Sequence, residues 1–143
     1  MPGAGARLRR RDRALLVKRA IVLVDHGSRV AEANALLDRV AERLRERVPE
    51  RIVRTAHMEL AEPSLDQAVD GCVAAGAVEV VVHPYFLAPG RHSREDVPRL
   101  AAAAAARHPG VRVVVSEPLG VHPGLVDAVL ERVSACEDRS RSG

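Results

Sequence analysis

Four short apolar runs, each separated from the next by a stretch with helical periodicity, set the limits on what this chain can fold into. Ala20-Ile21-Val22-Leu23-Val24 is continuous rather than alternating, as in a strand covered on both faces, and Asp25-His26-Gly27 closes it. From Ala31 to Val48, the residues Ala35, Leu36, Val40 and Leu44 recur at helical spacing, with Pro49 as a stop. Ile52 to Met58 reads as a second strand. Pro63-Ser64 opens a helix with Leu65, Ala68, Val69 and Cys72 on one face, ended by Gly76. Val78 to Val82 is a third strand, Arg94 to Arg107 an alanine-rich helix, Val111 to Val115 a fourth strand and Pro123 to Cys136 a last helix. Strict alternation joined by short loops predicts an α/β fold, because parallel neighbours need right-handed crossovers. The expected architecture is a doubly wound, four-stranded parallel sheet in the flavodoxin-like order 2-1-3-4, with helices on both faces.

A chain of 143 residues needs only one such domain. The net charge of +3 is unevenly spread. Residues 1–19 hold seven basic side chains against the single acid Asp12, while the rest holds 15 basic and 18 acidic residues. The expected organisation is a basic disordered tail over 1–19, a domain over 20–137 and a disordered C-terminal tail over 138–143. A basic tail on a mildly acidic domain is not a nucleic-acid face, and Tyr85 and Phe86 are the only aromatic rings on which bases would stack, so no nucleic-acid partner is expected. No run has the roughly 20 apolar residues that span a bilayer, so no membrane partner is expected. Ala14-Leu15-Leu16-Val17 is too short for a secretory core. Cys72 and Cys136 are isolated, which excludes a disulfide framework or a four-thiolate metal site within one chain and makes the cytoplasm the expected compartment.

In a sheet of this order, ligands sit beyond the carboxyl ends of the strands. The loops there carry His26, Glu59 and His92, after strands one, two and three. Imidazole, carboxylate and imidazole suit a borderline divalent ion, and the same groups take protons near neutral pH. Glu59 lies between Met58 and Leu60-Ala61, an apolar context in which a carboxylate is expected to need a partner. His57 shares the side of the strand with Glu59 and reads equally as an auxiliary ligand or a solvent-facing strand residue. Ser28 is placed to cap the first helix. Arg29, Arg91 and Arg94 flank the two loop histidines, where they are solvated loop charges or carboxylate clamps. His83 and His108 read as structural, and His122 as peripheral.

Four ordered motifs carry a resemblance: Leu23-Val24-Asp25-His26-Gly27-Ser28-Arg29; Ala56-His57-Met58-Glu59-Leu60-Ala61-Glu62-Pro63-Ser64; Phe86-Leu87-Ala88-Pro89-Gly90-Arg91-His92 with Asp96-Val97-Pro98; and Pro118-Leu119-Gly120-Val121-His122-Pro123. From about Ala20 to Cys136 the chain resembles the small single-domain sirohydrochlorin chelatases, class II chelatases that insert iron or cobalt into sirohydrochlorin for siroheme and cobalamin. The resemblance implies that His26 and His92 bind the metal and assist proton removal, with Glu59 as the third member. It gives Ser28, Arg29, Arg91 and Arg94 the acetate and propionate rim of the substrate to bind, and it requires no cofactor beyond the substrate ion, Fe2+ or Co2+. Larger relatives look like two fused copies of this unit. A four-stranded sheet also leaves edge strands and a flat tetrapyrrole poorly enclosed, so a homodimer is expected.

Two other classes compete. A metal-carrier or tetrapyrrole-binding protein would use the same residues without turnover. A histidine-type phosphotransferase also ends a strand in His-Gly, but carries Arg where this chain has Asp25.

Overall fold

The computed structural model describes residues 17–90 and 93–143. Eight elements alternate along the chain: β1 (Arg19–Asp25), α1 (Ala31–Arg47), β2 (Ile52–His57), α2 (Leu65–Ala74), β3 (Glu79–Pro84), α3 (Ser93–Ala106), β4 (Arg112–Val115) and α4 (Pro123–Arg141). The strands form one sheet in the order β2-β1-β3-β4, and every pair is parallel. This is the predicted architecture. All four strand ends therefore point to one edge, where the loops after β1, β2, β3 and β4 meet.

The main core lies between the sheet and α2 and α3. Val22, Val24, Val80 and Val82 are buried beneath Leu65, Val69, Cys72, Val97, Ala101 and Ala104. Fully removing a valine or leucine side chain from water contributes about 1.5–3 kcal/mol each, so this row carries much of the driving force. Alanines along α3 keep its packing face thin. Ser64 starts α2 with a capping box: its side chain accepts from the Gln67 N–H while the Gln67 side chain takes the Ser64 N–H.

On the other face α1 covers β1 and β2, where Leu37 and Ala41 pack on Leu23 and Val53. The sequence pattern placed Leu36 on this face, but Leu36 is exposed and the buried stripe is one residue later. A helix of this length with both Leu36 and Leu37 offers two apolar stripes, and the polar pairing of Asp38 with Thr55 selects one of them. The Thr55 hydroxyl donates to Asp38 at 2.6 Å. Arg45 adds a second tie, donating to the Val53 carbonyl.

Two expectations about the last helix need correction. It continues to Arg141, past Cys136 and into residues expected to form a disordered tail. It also covers no face of the sheet: none of its residues is buried, and Leu125 alone is half-buried, the rest being exposed. It is started by Pro123 in its first turn and by an N-cap at His122, which accepts the Gly124 N–H.

Burial of Cys72 against the sheet pushes its thiol pKa up to about 11. A Cys136→Ser variant is therefore expected to show no fast-reacting thiol with Ellman's reagent at pH about 8 until the chain is unfolded. A fast phase of one thiol per chain would show that the α2 face of the core opens readily.

Candidate functional site

The carboxyl ends of β1 and β2 are tied together before either loop begins. Asp25 and His57 are register partners at the last rung of the ladder, and Asp25 Oδ1 lies 2.5 Å from His57 Nδ1. His57 is 3% exposed, so the sequence expectation of a solvent-facing residue is excluded. The same Asp25 oxygen accepts the Gly27 N–H at 3.0 Å, which turns the chain sharply after His26. One carboxylate thus fixes the buried imidazole of one strand and the outgoing turn of the other.

Main-chain bonds continue the tie into the loops. The Met58 N–H donates to the Asp25 carbonyl and the Glu59 N–H to the His26 carbonyl. His57 is anchored from behind, its own N–H donating to the Pro63 carbonyl. Gly27 has φ of 87°, and a Cβ there would lie 1.9 Å from the Glu59 carbonyl oxygen. No residue larger than glycine fits between the two loops without separating them. Consequently the backbones that carry His26 and Glu59 are in direct contact.

The side chains they present are open to solvent. His26 is exposed and stacked on Phe86, ring centroids 4.9 Å apart and 23° between planes. Glu59 is exposed too, and it has no side-chain partner among the described residues. The expected apolar context does not arise, because Leu60 adopts φ of 67° and swings outward with Glu59, removing the desolvation cost that would have demanded a partner.

The loop after β3 supplies the next wall. Tyr85 N–H donates to the Val24 carbonyl, and the chain after β4 returns to pin Phe86 and Leu87 through Leu119 N–H and Gly120 N–H. Behind Phe86 lies a cavity of about 470 Å3, walled by Val97, Val115 and Pro118, with Arg94, Ser116 and Glu117 as its polar lining. Ser116 receives the ring of His83, whose Nδ1 is 2.7 Å from the Ser116 hydroxyl. Burial holds the His83 imidazole below its ordinary pKa, so this contact is made by a neutral ring.

The remaining candidates fall as follows. Ser28 does not cap α1, whose N-cap is Val30; it sits just before it, its hydroxyl accepting the Val30 N–H while Asn34 holds its backbone on both sides. Arg29 and Arg94 are exposed at the same edge. Arg91 and His92 lie outside the described residues. His108 pairs with Asp70 at 2.6 Å, which ties the end of α3 to α2 and lowers the Asp70 carboxyl pKa. Among the described residues, no three His, Cys, Asp or Glu side chains gather closely enough to hold a metal ion. Sequence reasoning missed Asp25, Asn34 and Phe86 as builders of this edge. The signal for Phe86 was its rarity in a chain with two aromatic rings, and Asp25 needed the strand register to be seen.

The CbiX family model matches residues 20–136. The chain is 46% identical over 116 residues to the chloroplastic sirohydrochlorin ferrochelatase of Arabidopsis thaliana, covering 81% of this chain and 52% of that protein. It is 32% identical to the sirohydrochlorin cobaltochelatase of Methanocaldococcus jannaschii, covering 79% of this chain and 96% of that one. Among solved structures, the sirohydrochlorin chelatase SirB of Bacillus subtilis subspecies spizizenii, in complex with cobalt, superposes with a TM-score of 0.76 at 32% identity, covering 83% of this chain and 51% of SirB. The chain thus spans about half the length of the Arabidopsis relative and of SirB, and nearly all of the archaeal one.

Gly27→Ala is expected to lower stability by at least about 2 kcal/mol in urea unfolding, since both the positive φ and the Glu59 carbonyl oppose a methyl group. Asp25→Ala, which strands the buried His57, is expected to cost about 1–3 kcal/mol. Midpoints equal to the natural chain for both would show that the two loops are not held by this tie.

Proposed function

The chain belongs to the CbiX family, and on that premise we propose that it inserts a divalent metal ion, Fe2+ or Co2+, into sirohydrochlorin. The observation that carries this reading is the contact of the His26 and Glu59 loops at the carboxyl edge of the sheet, with both side chains solvent-facing and Phe86 stacked behind the imidazole. Supporting it are relatives named sirohydrochlorin ferrochelatase and cobaltochelatase.

In this reading His26, Glu59 and His92 hold the incoming ion and accept the two pyrrolic protons that leave as the metal enters. Exposed groups suit that task, because an ion that must be handed on is held by few and labile bonds. An imidazole is also an effective base at neutral pH. The flat face of Phe86 offers an apolar surface to a macrocycle. Ser28, Arg29, Arg91 and Arg94 are assigned the binding of its carboxylate rim, and Arg94 also lines the adjoining cavity. His57 is auxiliary: paired with Asp25 below the surface, it supports the loops of His26 and Glu59. We place the active species as a homodimer in the cytoplasm. Two free cysteines fit a reducing compartment, and the edge strands β2 and β4 leave the sheet open to a second copy.

Purified chain mixed anaerobically with sirohydrochlorin and either ion is expected to change the macrocycle's absorption spectrum faster than the uncatalysed control. His26→Ala and Glu59→Gln should each lower kcat by on the order of a hundredfold, with little change in KM. Arg94→Ala should raise KM and leave kcat near normal, because a rim ion pair is made equally in ground and transition states. Near-normal rates in both His26→Ala and Glu59→Gln would place the chemistry elsewhere.

A further inference from the structure

The turn after β2 holds a leucine where the backbone favours glycine. The His57 N–H donates to the Pro63 carbonyl, so residues 58–63 leave the end of the strand and return to it. Glu59 is fixed in that turn by its N–H to the His26 carbonyl, and the reversal falls on the next residue, Leu60, with φ of 67°. Among the described residues Leu60 is the one non-glycine with a positive φ. Left-handed backbone crowds a Cβ against the following carbonyl oxygen, a cost that glycine escapes and that asparagine or aspartate offset with local hydrogen bonds. Leucine does neither. Burial of the side chain would offset the cost in another way, yet Leu60 is 54% exposed.

Leu60 is one end of an apolar series that runs through the metal-competent residues. It adjoins Glu59, whose backbone is bonded to that of His26. The His26 ring is stacked on Phe86, and Phe86 is followed by Leu87, 63% exposed. The Gly120 N–H donates to the Leu87 carbonyl, and the residue after Gly120, Val121, is almost wholly exposed. Three loops distant in sequence thus join Leu60, Phe86, Leu87 and Val121 in one succession of bonds and contacts, with His26 and Glu59 inside it. Exposed apolar side chains gathered around polar groups mark a surface that meets an apolar partner. What lies inside the series limits the partner. A covering protein surface would desolvate the Glu59 carboxylate, which has no side-chain partner among the described residues. A flat ring system that is apolar on its face and presents metal-binding nitrogens at its centre meets the apolar side chains and the two ligands together.

We propose that Leu60 is a substrate-binding residue: its left-handed turn sets an aliphatic side chain beside Glu59, where it carries the apolar face of the tetrapyrrole together with Phe86 and Leu87. This rests on the chelatase reading given above and adds to it an apolar contact that is independent of the arginines at the carboxylate rim. The backbone cost at Leu60 stands in the free chain. It is offset in the complex, where the exposed side chain leaves water against the ring.

The test uses the full chain and reads binding without chemistry, by titrating sirohydrochlorin with no metal present and following the macrocycle's absorption. Leu60→Gly removes the side chain and the backbone cost together. It is expected to leave the midpoint of urea unfolding equal to or above that of the natural chain, and to raise Kd about tenfold, as loss of one buried leucine contact would. Leu60→Asn suits the left-handed backbone but is polar, and is expected to bind as weakly as Leu60→Gly. Leu60→Met restores an apolar side chain of similar volume and is expected to recover most of the affinity. Because the contact is apolar, the ratio of the Leu60→Gly Kd to the natural one should persist at about 1 M salt, where ion pairs at the rim are screened. A natural chain that binds no sirohydrochlorin would overturn both the chelatase reading and this one. Binding by the natural chain with an equal Kd in Leu60→Gly or in Leu60→Asn would overturn the role of Leu60 alone. A lowered unfolding midpoint in Leu60→Gly would also overturn it, by assigning the leucine to packing within the chain.

Discussion

The hydrogen-bonded pair of Asp25 and His57 is the constraint on which the rest of the site depends. It sits at the last rung between the edge strand β2 and its neighbour β1, and it converts a general property of parallel sheets, that their ends point the same way, into a specific placement of two loops. Without it the loops after β1 and β2 would leave a common edge independently. With it, Gly27 is driven against the Glu59 carbonyl, and the residues on either side of that contact are the ones with metal-competent side chains. The burial of His57 strengthens the constraint, because an imidazole removed from water loses more when its partner is lost than an exposed one would.

A second feature follows from the strand order. With β3 beside β1, the Tyr85 N–H reaches the Val24 carbonyl, and Phe86 is delivered to the face of His26. The edge is therefore assembled from main-chain bonds across the sheet, while the groups proposed to do chemistry remain solvated. That division of labour suits a binding surface for a flat, acidic molecule. Rigid backbone gives the positions, an aromatic and apolar wall gives contact area, and exposed arginines give charge without a buried ion pair to form and break.

Much of this was legible in the sequence, for reasons that differ by residue. The continuous apolar run at Ala20–Val24 identifies a strand covered on both faces, and the helical stretches between the apolar runs leave a parallel sheet as the one economical fold. His26 and Glu59 were visible because each interrupts or closes an apolar run at a strand's carboxyl end. What local pattern does not contain is cross-strand register, and that is where the reading fell short. Asp25 reads as a turn residue until it is seen opposite His57. Leu36 and Leu37 are indistinguishable by periodicity, and a hydrogen bond from Thr55 to Asp38 decides between them. Glu59 was expected to need a partner because its neighbours are apolar, but a left-handed Leu60 turns that segment to solvent. The last helix was expected to join a layer, and it instead keeps its apolar stripe free, which sequence amphipathicity by itself does not reveal.

The central claim is that the edge formed by His26 and Glu59 receives the metal ion. Anomalous diffraction at the cobalt absorption edge, from crystals of this chain equilibrated anaerobically with Co2+, tests it most directly. The account predicts a single strong peak per chain at bonding distance, roughly 2.0–2.2 Å, from an imidazole nitrogen of His26 and a carboxylate oxygen of Glu59. Cobalt bound only at other residues, with none at this edge, would contradict it.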